Sequence, residues 1–216
     1  MLCPECWQTI HLISRPYCEI CGIPQEFELE KNIICNSCKH DPPHYDKARA
    51  VCSYGDSVIK MVSNFKYNSA FNVGDFMASR INSLLSQVIL DCDVIVPVPI
   101  HKYRLIKRGF NQAAEIAKII AKKHDKPLLL DSLKKISFNV QQTRLNKQQR
   151  IENVKDSFAI PSENLKDFKD KKVLLIDDVL TTGATVNECS RIIKLAKAKQ
   201  VEVAVFARTG LDWRKT

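Results

Sequence analysis

VLLIDDVLTTGAT, residues Val173 to Thr185, decides how the rest of the chain is read. Lys172 to Ile176 is expected as a buried strand, because its apolar run shows no polar alternation. The strand runs into two adjacent acids, Asp177 and Asp178, and then into the small hydroxylated turn Thr181-Thr182-Gly183-Ala184-Thr185. From Gly183 to Lys197 the spacing predicts a helix. A helix N-terminus presents backbone N–H groups and the positive end of its dipole, Gly183 allows close approach, and three threonine hydroxyls add donors. That arrangement suits a phosphate monoester, and two carboxylates just upstream suit the vicinal hydroxyls of a ribose. Strand, acid pair and loop together describe a ribose 5-phosphate cradle. No Gly-Lys-Ser/Thr follows, so the loop is not of the Walker type, and the glycine pattern of dinucleotide folds is absent.

Outward from this segment, strands and helices alternate. Strands are expected at Ala48–Tyr54, Asp93–Val98 and Val201–Ala207. Helices are expected at Val58–Phe65, at Val73–Ile89 (Val73, Phe76, Met77, Ile81, Leu84, Leu85 and Val88 on one face) and at Asn111–His124. Such alternation predicts an α/β fold, a mostly parallel sheet with helices on both faces, over residues 45–216. The chain has 216 residues, 45% hydrophobic and 26% charged, as folded soluble proteins do. No apolar run approaches the roughly 18 residues of a spanning helix. The start, MLCPECWQTI, lacks a basic segment and an apolar core, so no secretory leader is expected.

Six of the nine cysteines lie in the first 38 residues as three Cys-x-x-Cys pairs: Cys3/Cys6, Cys18/Cys21 and Cys35/Cys38. In a reducing compartment paired knuckles read as metal ligands rather than disulfides. Gaps of 11 and 13 residues between pairs let two knuckles fold back onto one tetrahedral Zn(II). Cys18, Cys21, Cys35 and Cys38 are the preferred set, since Gly22 and Pro24 supply the turn after the first knuckle. Cys3 and Cys6 either replace one pair or hold a second site with a ligand such as His11. Residues 1–44, which end in the stiff Asp41-Pro42-Pro43, are too few to bury a core, so structural zinc supplies the folding energy of this module. Nothing nearby offers the open position and base of a catalytic zinc.

Lys and Arg number 33 against 24 Asp and Glu, a net +9, which implies polyanionic company. Basic clusters fall at 101–108, 142–150 and 166–172. Single-stranded DNA favours such charges interleaved with stacking aromatics, here Tyr103 and Phe110.

Asp177 to Thr185 resembles the phosphoribosyl pyrophosphate (PRPP) motif of type I phosphoribosyltransferases. Together with the knuckles, CEICGIP (18–24), NFKY (64–67), VPVPIH (96–101), KRGFNQA (107–113) and QQTRLNKQQRIENV (141–154), it is similar to the ComF (ComFC) family across essentially the whole chain. That family joins an N-terminal zinc finger to a phosphoribosyltransferase domain and is linked to DNA uptake in natural transformation. The resemblance implies that Asp177 and Asp178 hold the ribose hydroxyls and serve catalysis. Within the motif Val179, Leu180, Thr181, Thr182, Gly183, Ala184 and Thr185 bind PRPP, the last five around the 5-phosphate. Pro99, Ile100 and His101 take the place of the diphosphate loop, followed by the charges of Arg104, Lys107 and Arg108, with Asn111 and Gln112 at the next helix start. Gln142, Thr143, Arg144, Lys147 and Arg150 fall in a lid or DNA-contacting segment, and Lys66 and Tyr67 in a hood over the acceptor. Mg(II) would accompany PRPP. Thr181 stands where purine-salvage members carry an acid, which argues against a purine acceptor. The implied partners are single-stranded DNA and the helicase and inner-membrane channel of DNA uptake. The implied location is the cytoplasm, peripheral at the inner membrane. A phosphoribosyl transfer and a catalytically silent nucleic-acid adaptor both remain open at this point.

Overall fold

The computed structural model describes residues 8–25, 33–67, 71–137, 152 and 154–210. A four-stranded parallel sheet in the order β1-β6-β5-β2 organises the chain. Its strands are β1 (Lys47–Ser53), β2 (Val94–Pro97), β5 (Lys172–Leu180) and β6 (Gln200–Arg208). Alternation along β5 divides the core. Leu174 and Ile176 face one side, with Ile95 and Phe206, and meet α2 (Asp56–Tyr67), α3 (Phe71–Leu84) and α6 (Gln112–His124). Val173 and Leu175 face the other side, with Val203 and Val205, and meet α7 (Ala184–Leu195) and the cysteine module, which contributes α1 (Asn36–His40). A sheet covered on both faces needs apolar residues on both faces, which is why its strands read as unbroken runs.

The expected elements appear with shifted bounds, and three departures matter. The helix predicted over Val73–Ile89 is two, α3 and α4 (Ser86–Asp91), with Leu85 between them at φ −118° and ψ 24°. Strand β5 does not stop at Ile176. It pairs with β6 as far as Leu180 opposite Arg208, so Asp177 and Asp178 lie inside a strand rather than in a loop after it. Two elements carry no periodicity to read. Helix α5 (Lys102–Arg108) buries none of its residues, and the ribbon of β3 (Lys134–Lys135) and β4 (Phe158–Ala159) has two residues per strand. No helix among the described residues is long and apolar enough to cross a membrane.

The cysteine module lies along the free edge of β1. Ile13 N–H donates to the Val51 carbonyl at 2.9 Å, Ser53 N–H to His11 at 2.9 Å, and Ala48 N–H to Ile20 at 2.7 Å. An edge strand that would otherwise expose unpaired backbone groups is thereby covered. Gly22 permits the approach: its φ is +69°, and a Cβ there would stand 2.4 Å from the Ala48 carbonyl oxygen. Gly22→Ala is therefore expected to destabilise the protein by about 2 kcal/mol or more, roughly 4–8 °C in Tm, and to loosen metal binding. Thermal melts with zinc quantification check this, and an unchanged Tm would contradict the packing.

Candidate functional site

At the carboxyl ends of the parallel strands, where open α/β sheets bind their ligands, β5 delivers its two acids. Asp177 Oδ1 accepts a hydrogen bond from the Asp178 amide at 2.9 Å. Asp178 is 6% exposed, and its Oδ2 lies 2.7 Å from Nζ of Lys66 at the end of α2. Burial and the neighbouring Asp178 carboxylate push the Asp177 carboxyl well above the usual range. Burial works against the Lys66 ammonium, but the Asp178 carboxylate outweighs it and holds Lys66 above the ordinary lysine value. Tyr54, just after β1, sits in the field of this ion pair, and burial raises its phenol.

Sequence reasoning missed Lys135 on the β3–β4 ribbon. Burial and Arg104 lower its ammonium while Asp177 acts in the opposite sense, so Lys135, Arg104 and Asp177 share one electrostatic environment. Its Nζ stands 5.1 Å from the centre of the Phe158 ring. Nothing in Lys134-Lys135 distinguishes it from a solvated surface pair until the ribbon turns it inward.

Beyond the acids, Gly183 adopts φ +82° and leads into α7. Thr182 Oγ1 accepts from the Ala184 amide at 3.4 Å. Gly183 has open space around it, with the Tyr45 hydroxyl 3.8 Å from where a Cβ would stand, so its backbone angle is what favours glycine. Behind the loop, a cavity of about 260 Å³ is lined by Thr181, Thr182, Tyr45, Asn187, Arg208 and the knuckle residues Cys21 and Cys38. Arg208 Nη1 donates to the Cys21 carbonyl, and the His44 amide donates to Asn187 Oδ1 at 2.6 Å. The cysteine module thus braces the strand end and helix that carry the loop.

Pro99, Ile100 and His101 follow β2, the strand that pairs with β5. His101 Nδ1 accepts from the Tyr103 amide at 3.2 Å and so caps α5. Asn111 caps α6 by accepting from the Ala113 amide at 3.1 Å, while its Nδ2 donates to the Val98 carbonyl at 3.1 Å. It therefore braces the β2 loop rather than reaching outward. Two surface expectations need correction. Gln112 is 3% exposed and accepts from Arg108 at 3.3 Å, so its side chain is buried rather than on the surface. Phe110 is 8% exposed, packed 5.5 Å from the Phe65 ring and 5.0 Å from Phe71, and is no open stacking platform. Tyr103, at 56%, stands open beside exposed Lys107. Gln142, Thr143, Arg144, Lys147 and Arg150 lie outside the described residues.

The sulfurs of Cys18, Cys21, Cys35 and Cys38 all lie within 4.8 Å of one another, with Cys21 and Cys35 3.8 Å apart. A tetrahedron with Zn–S bonds of ~2.3 Å has edges of ~3.8 Å, so the donor set fits Zn(II). Four thiolates with three of the residues buried leave no open coordination position, which defines a structural centre. Cys3 and Cys6 lie outside the described residues, and His11 is not part of the cluster.

The class follows from these features. The chain belongs to the phosphoribosyl transferase domain family, which matches residues 72–215, and a double zinc ribbon domain matches residues 1–42. Its relatives include Competence protein F of Haemophilus influenzae, 28% identical over 213 residues that span 96% of this chain and 90% of that protein. Competence protein ComFC of Bacillus subtilis is 28% identical over 217 residues, 95% of this chain and 82% of the relative. DNA utilization protein YhgH of Escherichia coli is 23% identical, over 96% of this chain and 90% of its own length. The chain thus combines the type I phosphoribosyltransferase fold with a zinc ribbon, as its resemblance to the ComF family implies, and the ribbon match and the cysteine cluster agree on structural zinc.

Proposed function

We propose that this protein binds PRPP with Mg(II) at the Asp177–Asp178 site and acts in DNA uptake during natural transformation, where it contacts single-stranded DNA. The observation that carries the reading is one strand end bearing two adjacent carboxylates, followed at once by a glycine-hinged threonine loop opening a helix. Competence and DNA utilization appear in the names of relatives that align with nearly the whole chain.

Asp177 and Asp178 accept hydrogen bonds from the ribose hydroxyls, and Thr181 to Thr185 enclose the 5-phosphate. Pro99 to His101 and the cations of Arg104 and Arg108 face the diphosphate. Mg(II) would supply further charge neutralisation on the leaving diphosphate. With the sugar fixed on one side and the diphosphate on the other, bond breaking at the anomeric carbon needs positioning and charge stabilisation rather than a covalent nucleophile. The transfer is to a non-purine acceptor, in keeping with Thr181. For DNA, α5 presents exposed Lys102, Tyr103 and Lys107, the mixture of cation and aromatic that single strands favour. The proposed setting is the cytoplasmic side of the inner membrane, beside the helicase and channel of the uptake machinery.

The test is calorimetric titration of zinc-loaded protein with PRPP and Mg(II), with and without single-stranded DNA. Micromolar PRPP binding is expected, together with DNA affinity that falls steeply as salt rises. Absence of PRPP binding would overturn the sugar-phosphate reading. DNA affinity indifferent to salt would overturn the phosphate-tracking surface.

A further inference from the structure

Lys66 stands where the proposed ligand needs its carboxylate. Its Nζ is 2.7 Å from Asp178 Oδ2, and the two side chains are 26% and 8% exposed. The lysine is not there by chance of a flexible surface chain. The preceding Phe65 is fully buried, with its ring against Phe110 and packed so tightly on Gly74 that a Cβ there would stand 2.8 Å from it. The end of α2 is therefore anchored, and the Lys66 stem extends from that anchor to the acid pair. A carboxylate oxygen engaged by an ammonium at this distance is not free to accept a sugar hydroxyl at full strength. Ligand binding at Asp178 requires an exchange of partners.

The chemistry of the ligand names the new partner. In a 5-phosphoribosyl 1-diphosphate, the diphosphate is attached to the carbon next to the one bearing the 2-hydroxyl. An ammonium leaving the carboxylate that receives a vicinal hydroxyl is thus beside a polyanion, and a lysine stem is flexible enough to turn to it. We propose that Lys66 is a transferable cation, paired with Asp178 in the free protein and handed to the diphosphate when the ligand binds. The inference rests on the reading of Asp178 as a ribose-hydroxyl acceptor. It makes Lys66 a specificity residue: a pentose 5-phosphate without an anomeric diphosphate must displace the ammonium and offers it nothing in return. The diphosphate ester offers a stronger partner than the one given up.

Calorimetry of wild type, Lys66→Gln and Lys66→Arg tests this with two probes, PRPP–Mg(II) and ribose 5-phosphate. Loss of a charge-assisted contact is expected to weaken PRPP about tenfold or more in Lys66→Gln. Ribose 5-phosphate should bind that variant as well as wild type, or more tightly, and Lys66→Arg should restore most of the PRPP affinity. Equal weakening of both probes, or unchanged PRPP affinity, overturns the inference. A second measurement needs no variant. Without Mg(II), saturating inorganic pyrophosphate should tighten ribose 5-phosphate about threefold or more in wild type, although the two anions repel each other. Independent or weakened binding there overturns it as well. If wild type binds neither PRPP nor ribose 5-phosphate, the proposed function fails and the inference with it. If wild type binds both and Lys66→Gln changes neither, the inference alone fails.

Discussion

Replacing Cys21 by serine is expected to release the zinc held by the four-cysteine cluster and to lower Tm by roughly 10 °C or more. Two physical terms set the size of this effect. The first is local. Structural zinc in small modules contributes apparent binding energies of ~10–16 kcal/mol, and residues 8–43 have little else to fold around. Ile10 is the only buried aliphatic side chain among their described residues; Cys18, Cys21 and Cys38 are the other buried apolar groups. The second term is transmitted. The module pairs with the β1 edge through Ile13, Ile20 and His11, and the Cys21 carbonyl takes the Arg208 guanidinium. Losing it uncovers an edge strand and leaves a guanidinium that is 8% exposed without that acceptor. Metal analysis, thermal melting and hydrogen exchange at residues 47–53 report the three consequences together. A zinc-free variant melting at the wild-type temperature would refute the account.

Asp178→Asn should reduce PRPP affinity by about a hundredfold, equivalent to roughly 2.7 kcal/mol. In the proposed complex the carboxylate accepts a sugar hydroxyl, and its charge would favour the divalent cation that accompanies PRPP. Asparagine keeps the volume and loses both the charge and part of the acceptor capacity. The change also strands Lys66, three-quarters buried, without its counter-ion. Leaving one member of a buried pair alone destabilises a fold by a few kcal/mol. The double variant Asp178→Asn/Lys66→Gln removes that penalty, so recovered Tm with PRPP binding still weaker than in Lys66→Gln alone assigns the further loss to the carboxylate itself. Wild-type PRPP affinity in the single variant would sink the assignment of the acid pair.

Much of this was legible in the residues because the governing patterns are local. Val173 to Ile176 announces a doubly covered strand by four apolar residues in succession. Gly183, after two acids and two threonines, announces the turn that opens a helix. The spacing of Cys18, Cys21, Cys35 and Cys38 announces a tetrahedral thiolate site, and the structure brings those four sulfurs together. Each signal lies within one turn, one strand or one pair of knuckles, so the sequence determined the class of fold and the cysteine set that suits structural zinc.

What the tertiary structure alone decided concerns partners far apart in the chain. Strand β5 reaches Leu180 because β6 is there to pair with it, and this puts the two acids inside the sheet edge rather than in a loop. Phe110 and Gln112 sit in a basic, polar segment that reads as surface, yet Phe65, Phe71 and Arg108 enclose them. Lys135 becomes part of the acidic site only when a two-residue ribbon turns it inward. The pairing of Lys66 with Asp178 joins a helix end to a strand end, and no periodicity in either segment encodes the other. Side-chain charge is written in the sequence; the distance between charges, and hence their energy, is set by how the layers pack.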